Sequence, residues 1–244
     1  MNLFLSLSAA AAACTAAGAL PALLIRSLTH RVKDILLAFS AGIMVAASTY
    51  GLLPSALKLS NFITLTIGII LGTLLLTVME LLIPHTDPAH TTELYPPERG
   101  SPQLLVLAML LHNLPEGLST GISLASSDQE LGRIVTFAMG LQNIPEGFLI
   151  ALFLVTQGSK LSRTFTSVML VVLAEWTASL IGYLFGLELQ FLVPYGLAFA
   201  GGAMLYVVYK ELIPESHGDG HEIPSTFAFI IGTLFMIGLT EWLG

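Results

Sequence analysis

Residues 38–54 read AFSAGIMVAASTYGLLP, and residues 198–214 read AFAGGAMLYVVYKELIP. At a fixed offset of 160, Ala38/Ala198, Phe39/Phe199, Gly42/Gly202, Met44/Met204, Leu52/Leu212 and Pro54/Pro214 coincide. The register continues without a gap into the next apolar stretch, where Ile70, Gly72, Thr73 and Leu74 meet Ile230, Gly232, Thr233 and Leu234. Leu and Ile matches carry little weight in an apolar chain. Gly, Pro and Met agreeing in one register carry more, and they indicate a duplicated segment.

Both copies have the length of membrane-crossing helices, which need about 20 apolar residues. Eight such stretches are present: roughly 3–25, 34–57, 61–83, 102–126, 131–156, 164–186, 190–213 and 225–243. Strands of a membrane barrel would be about half as long and would alternate. The composition agrees: 55% of residues are hydrophobic, 10% are charged, and the mean hydropathy is +0.83. Soluble domains carry roughly 25% charged residues, so an ordinary soluble enzyme, a basic nucleic-acid binder and a disordered chain are excluded. A single cysteine, Cys14, leaves no disulfide framework and no thiolate cluster. The first stretch is read as a span rather than a signal peptide, because no basic residue precedes it and the repeat supplies it with a partner.

Lys and Arg set the orientation. Arg26, Arg31, Lys33, Arg99, Lys160, Arg163 and Lys210 fall on the odd-numbered connections, and only Lys58 and Arg133 on the even ones. The odd connections are therefore expected in the cytoplasm and both termini outside. Spans 2–3 correspond to spans 7–8, and by extension span 1 to span 6. Five crossings separate the partners, so they run in opposite directions. The expectation is an all-α polytopic membrane protein of eight helices in a 3+2+3 inverted-repeat arrangement. Residues 1–244 would form one domain: repeat 1 over 3–83, a loop at 84–101, central spans over 102–156 and repeat 2 over 164–243. Inverted repeats characterise secondary transporters, whose substrate site lies at the repeat interface near the midplane.

The two central spans carry a second echo, His112-Asn-Leu-Pro-Glu-Gly117 and Gln142-Asn-Ile-Pro-Glu-Gly147. Residues three and four apart share a helix face, so His112, Asn113 and Glu116 group together, as do Gln142, Asn143 and Glu146. Glu175 lies near the middle of span 6. Ionisable residues inside a membrane are costly and functional by default, and no Lys or Arg lies at the depth of these acids. Bound divalent cations would neutralise them. Imidazole, carboxylate and amide oxygen together suit Zn²⁺, and also Fe²⁺, Mn²⁺ or Cd²⁺. The blander alternatives are a satisfied core histidine at His112 and interhelical hydrogen bonding by Gln142 and Asn143. Pro115 and Pro145 free the carbonyls four residues back. Glu80 and Glu241 sit near span ends, where solvation at the membrane surface explains them. Met44 and Met204 read as packing residues.

The paired HNLPEG and QNIPEG motifs, Leu-Ala-Glu175, and the run from Gly202 through Met204 and Glu211 to Glu215 resemble the ZIP (Zrt/Irt-like protein) family of metal transporters. The Gln in the second motif is similar to the GufA-type prokaryotic branch. The resemblance covers essentially the whole chain. It implies a binuclear centre midway through the membrane and transport of zinc, and often iron, manganese or cadmium, into the cytoplasm. By matching positions, His112, Glu116, Gln142 and Glu146 would form one metal position. Asn113, Asn143 and Glu175 would form the second, sharing Glu116 and Glu146. The chain departs from many relatives in having Gln142 in place of His, Asn143 in place of an Asp found in some, and Trp176 in place of Pro. The resemblance further implies a multi-pass cell-membrane protein, in bacteria of the inner membrane, whose partners are metal ions and lipid, with a homodimer left open and no nucleic acid.

Two polar stretches remain. One, at 84–101, holds His85, Asp87, His90 and Glu93; the other, at 214–224, holds Glu215, His217, Asp219, His221 and Glu222. With Glu211 at the end of span 7, they are candidates for a cytoplasmic exit path or metal-sensing loops, against the plainer reading of solvated loops. A membrane-embedded metalloenzyme is the rival class, but the chain has no HExxH motif on which such a site is built. A carrier of a different cation or an organic acid, and a metal-responsive receptor, are disfavoured by the same motif pair.

Overall fold

The computed structural model describes residues 2–22, 24, 29–82, 102–127, 129–218 and 220–243. Among them the chain forms eight long helices and no strand. They are α1 (Asn2–Ala22), α2 (His30–Leu59), α3 (Phe62–Leu82), α4 (Pro102–Ala125), α5 (Gln129–Thr156), α6 (Leu161–Glu188), α7 (Gln190–His217) and α8 (Glu222–Leu243). Helices satisfy every backbone polar group internally, the condition for crossing hydrocarbon. Seven of them are long and apolar enough to do so. The exception is α4, whose centre holds His112, Asn113 and Glu116; the residues that make it a candidate site also lower its hydropathy.

Four pairings dominate the packing: α1 with α5, α4 with α6, α2 with α8, and α3 with α7. The first two pairs join into one four-helix group, the last two into another, and the groups meet where α4 lies on α7 and α2 on α5. Small residues let these helices approach closely, as is typical in membranes. A Cβ on Gly42 would strike the Phe229 carbonyl oxygen, and one on Gly202 would meet the Ile69 backbone. A Cβ on Gly72 would strike the Phe199 carbonyl oxygen, and one on Gly232 that of Phe39. Each contact maps onto its mate at the 160-residue offset found in the sequence.

The same offset relates two widened helical turns. The backbone of α2 opens into a π-type segment over Ala47–Leu52, and α7 does so over Val208–Leu212. Pro54 and Pro214 follow them, each after one intervening residue. A proline has no N–H and its ring crowds the carbonyl four residues back, so a wider turn accommodates it without breaking the helix.

Helices α2 and α7 are central, with 67% and 61% of their spans buried, whereas α3 and α8 are peripheral at 22% each. The exposed face of α3 carries Ile63, Ile67, Ile70, Leu71 and Leu74, and that of α8 carries Phe227, Ile231, Leu234 and Phe235. These faces suit lipid. Between the groups, α2, α5 and α7 close an apolar cluster around Ile43, Met44, Val135, Met139, Leu197 and Met204. Met44 and Met204 therefore pack, as expected.

Helix boundaries differ from the sequence reading at one place that matters. The stretch 214–224, expected as a polar loop, is helical through His217 and again from Glu222. Pro214 continues α7 after its π-type turn, and the acidic residue in the first turn of α8, Glu222, suits a helix N-terminus. Only Gly218–His221 separates α7 from α8. The stretch 84–101, with His85, Asp87, His90 and Glu93, lies outside the described residues, as does Asp219.

Candidate metal centre

Helices α4 and α5 run unbroken through Pro115 and Pro145. Their polar motifs face each other and α6 in the interior. Asn113, Gln142 and Asn143 are fully buried, Glu116 and Glu175 almost so, His112 is buried, and Glu146 is partly exposed. Glycines set this depth. A Cβ on Gly117 would strike the Glu175 carbonyl oxygen, and one on Gly147 that of Thr15. The motif glycines thus hold α4 against α6 and α5 against α1 at the level of the acids.

The hydrogen bonds run across helices. Asn113 donates from Nδ2 to Glu146 Oε1 at 2.5 Å and to the Met109 carbonyl at 2.9 Å. Asn143 donates from Nδ2 to Glu175 Oε1 at 2.6 Å and to the Ala11 carbonyl at 3.1 Å. Thr15 donates to Glu175 Oε2 at 3.2 Å. Glu116 lies within electrostatic reach of both Glu146 and Glu175, and Glu146 of His112. His112 Nε2 meets Glu211 Oε2 on α7 at 2.8 Å, a contact that joins the two helix groups.

What these bonds leave over is informative. Asn113 Oδ1, Glu116 Oε2, Gln142 Oε1 and Nε2, and Asn143 Oδ1 are buried without a hydrogen-bond partner. Buried polar atoms are ordinarily paired, and an unpaired one costs about 1–3 kcal/mol. In Asn113 and Asn143 the nitrogen is used twice, which fixes the amide so that the oxygen is the unused atom. Oxygen donors held in this way beside three acids are what a hard or borderline cation seeks.

The set is not closed into a cage. Among the described residues, no three His, Cys, Asp or Glu side chains converge tightly enough to hold a metal ion. His112 is held by Glu211, and Glu146 and Glu175 by the two asparagines, so coordination requires these side chains to turn.

The outlying candidates fall elsewhere. Glu211 joins the core through His112. His217 turns back on its own helix, its Nδ1 at 2.8 Å from the Ile213 carbonyl and 3.1 Å from Ser216 Oγ. His221 Nδ1 meets Asp34 Oδ2 at 3.0 Å, and Asp34 is fully buried with Oδ1 unpaired. Sequence reasoning passed over Asp34 and Thr15. The offset of 160 linking Thr15 to Glu175 was the available signal for the second. It also left Glu80 as a solvated acid, whereas the structure pairs Glu80 with Lys210 and with Tyr206, whose hydroxyl donates to Glu80 Oε2 at 2.5 Å.

Membrane-length helices wrapped around a buried cluster of acids, amides and one imidazole define a multi-pass membrane protein with a polar core. The family model described as ZIP Zinc transporter matches residues 85–240. Zinc transporter GufA of Myxococcus xanthus is 36% identical over 244 residues, with 96% of each chain covered. Zinc transporter ZIPB of Bordetella bronchiseptica is 36% identical over 248 residues, covering 97% of this chain and 80% of its own. Human zinc transporter ZIP11 is 28% identical over 321 residues, with 94% of each chain covered. The chain belongs to the ZIP zinc transporter family, as its paired motifs imply.

Proposed function

We propose that this protein carries divalent metal cations, zinc foremost, across the membrane into the cytoplasm. The observation that carries this reading is the set of buried, unpaired oxygens on Asn113, Glu116, Gln142 and Asn143 between three acids. The family and its zinc-transporting relatives support the same cargo.

In this reading all eight helices cross the bilayer in a 3+2+3 inverted arrangement, with both termini outside, as a single domain. His112, Glu116, Gln142 and Glu146 form one metal position. Asn113, Asn143 and Glu175 form the second, sharing Glu116 and Glu146. The ion sheds water as the carboxylates and amide oxygens replace it. The apolar cluster around Met44, Met139 and Met204 seals the outer side. On the inner side His112 turns between Glu211 and the centre, handing the ion from one helix group to the other. One group moves against the other, as inverted repeats favour. The exposed apolar surfaces of α3 and α8 support an integral membrane location, which in this reading is a bacterial inner membrane.

The test is zinc flux into proteoliposomes holding the purified protein. Uptake above empty vesicles that is lost in Glu116→Ala supports the reading. Uptake equal to empty vesicles, with metal binding unchanged by Glu116→Ala, overturns it. Competition by Fe²⁺, Mn²⁺ and Cd²⁺ in that assay ranks the cargo.

A further inference from the structure

One cavity lies between the polar core and the end of α3. It is lined by Glu80, His112, Tyr206 and Glu211 together with apolar residues of α3, α4 and α7. Two carboxylates therefore share it, and each already has a cationic or potentially cationic partner. Glu211 has His112, and Glu80 has Lys210. Tyr206 donates to the other oxygen of Glu80, and the Lys210 ammonium lies 5.8 Å from the Tyr206 ring centre. Tyr206 and Lys210 are four apart on α7, and Lys210 and Glu211 are neighbours in its π-type segment. That segment aims one charge at α3 and the next at α4.

This arrangement exists at one end of the repeat only. At the 160-residue offset, Tyr206, Lys210 and Glu211 correspond to Ala46, Tyr50 and Gly51, and Glu80 corresponds to Thr240. None of the four is charged, and a Cβ on Gly51 would meet open space. The internal symmetry is thus broken by charge at the end where Lys and Arg concentrate.

Two acids in one membrane cavity would hold a divalent cation strongly and impede its departure. A lysine tied to the same helix is a fixed competitor of lower charge. We propose that Lys210 is a tethered cation that occupies Glu80 and keeps the cavity a weak, transient station for the metal leaving Glu211. Arriving metal displaces the ammonium from Glu80, and the returning ammonium displaces the metal toward the cytoplasm. Lys210 is partly exposed, so it has room to swing. This proposal rests on the transport reading above.

The test pairs Lys210→Met with Lys210→Arg in the purified full-length protein. Lys210→Met is expected to bind an additional equivalent of Zn²⁺, about tenfold or more tighter in that cavity than the parent, and to transport more slowly. Adding Glu80→Gln to Lys210→Met is expected to abolish the extra equivalent, and Lys210→Arg to behave as the parent. A second measurement needs no variant. Zinc saturation should raise amine labelling of Lys210 severalfold, read by mass spectrometry, with Lys58 and Lys160 unchanged. If the parent transports zinc while Lys210→Met matches its stoichiometry and rate, or Lys210 labelling ignores zinc, the proposal is overturned and the transport reading stands. A parent that moves no zinc overturns both.

Discussion

Thr15 and Glu175 stand 160 residues apart, the offset of the internal repeat, and they touch: Thr15 Oγ1 donates to Glu175 Oε2 at 3.2 Å. Equivalent positions of the two repeats therefore meet at the centre, one as an acid and the other as a neutral donor. The motif glycines repeat the relationship, since Gly117 abuts the Glu175 carbonyl and Gly147 that of Thr15. Asn113 bonds Glu146, but Asn143 bonds Glu175 rather than Glu116. A near-symmetric backbone thus carries an asymmetric set of charges.

Replacing Thr15 by Val keeps the shape and removes the donor. One oxygen of Glu175 then loses a neutral hydrogen bond worth about 1 kcal/mol. The expected outcome is a small fall in thermal stability of metal-free protein, and a larger stabilisation by added zinc than in the parent. Thermal unfolding with and without Zn²⁺ reads both.

Gly147→Ala places a methyl group against the Thr15 backbone, which cannot rotate away. Separating α1 from α5 is expected to cost about 1–3 kcal/mol, the usual range for overpacking. Gly238→Ala, where a Cβ meets open space, is expected to be neutral or to stabilise by up to about 1 kcal/mol through helix propensity. Equal melting shifts for the two would contradict the packing described for α1 and α5.

Asn143→Ala removes the two-handed brace on Glu175 without touching a charge. In the proposed centre Asn143 would both orient Glu175 and offer its own oxygen, and loss of a residue that orients metal ligands alone costs about 10–100-fold in affinity. Equilibrium dialysis against Zn²⁺ and Cd²⁺ should show weakening of that order, and Glu116→Gln a larger loss.

Zinc binding should weaken as pH falls. In the proposed centre metal would bind neutral His112 and ionised carboxylates, so every ligand protonated beforehand would have to release its proton. Protons therefore compete with metal, and the apparent Kd rises with acidity, by up to about tenfold per pH unit for each proton displaced. Binding isotherms across neutral to mildly acid pH measure this, and Kd values independent of pH would count against His112 and the acids as ligands.

His221→Ala strips the partner from a fully buried Asp34 at the junction of α2 and α8. Breaking a buried pair costs about 3–5 kcal/mol, reduced here because His221 is itself partly exposed. A marked loss of stability, partly restored by adding Asp34→Asn, is expected in thermal unfolding.

The helices were legible because membrane-length apolar runs permit little else, and the offset of 160 was legible because Gly, Pro and Met occupy fixed places in close-packed helices. The same glycines then proved to be the contacts. His112, Glu116, Glu146 and Glu175 stood out in the sequence because acids without basic partners are rare in apolar surroundings. Spacing along one helix could group His112 with Glu116, since that distance is set by helix geometry alone. It could not reveal that His112 reaches across to Glu211, that Glu80 is paired with Lys210, or that Asp34 is buried under His221. The partners are far apart in the chain, on different helices or, for His221, just before one, and their meeting depends on crossing points and helix rotation. By itself, the sequence determined the class of fold, the duplication and the chemistry of the core. Only the tertiary structure decided which polar atoms are already satisfied and which remain open, because that depends on distances across interfaces that no local periodicity encodes.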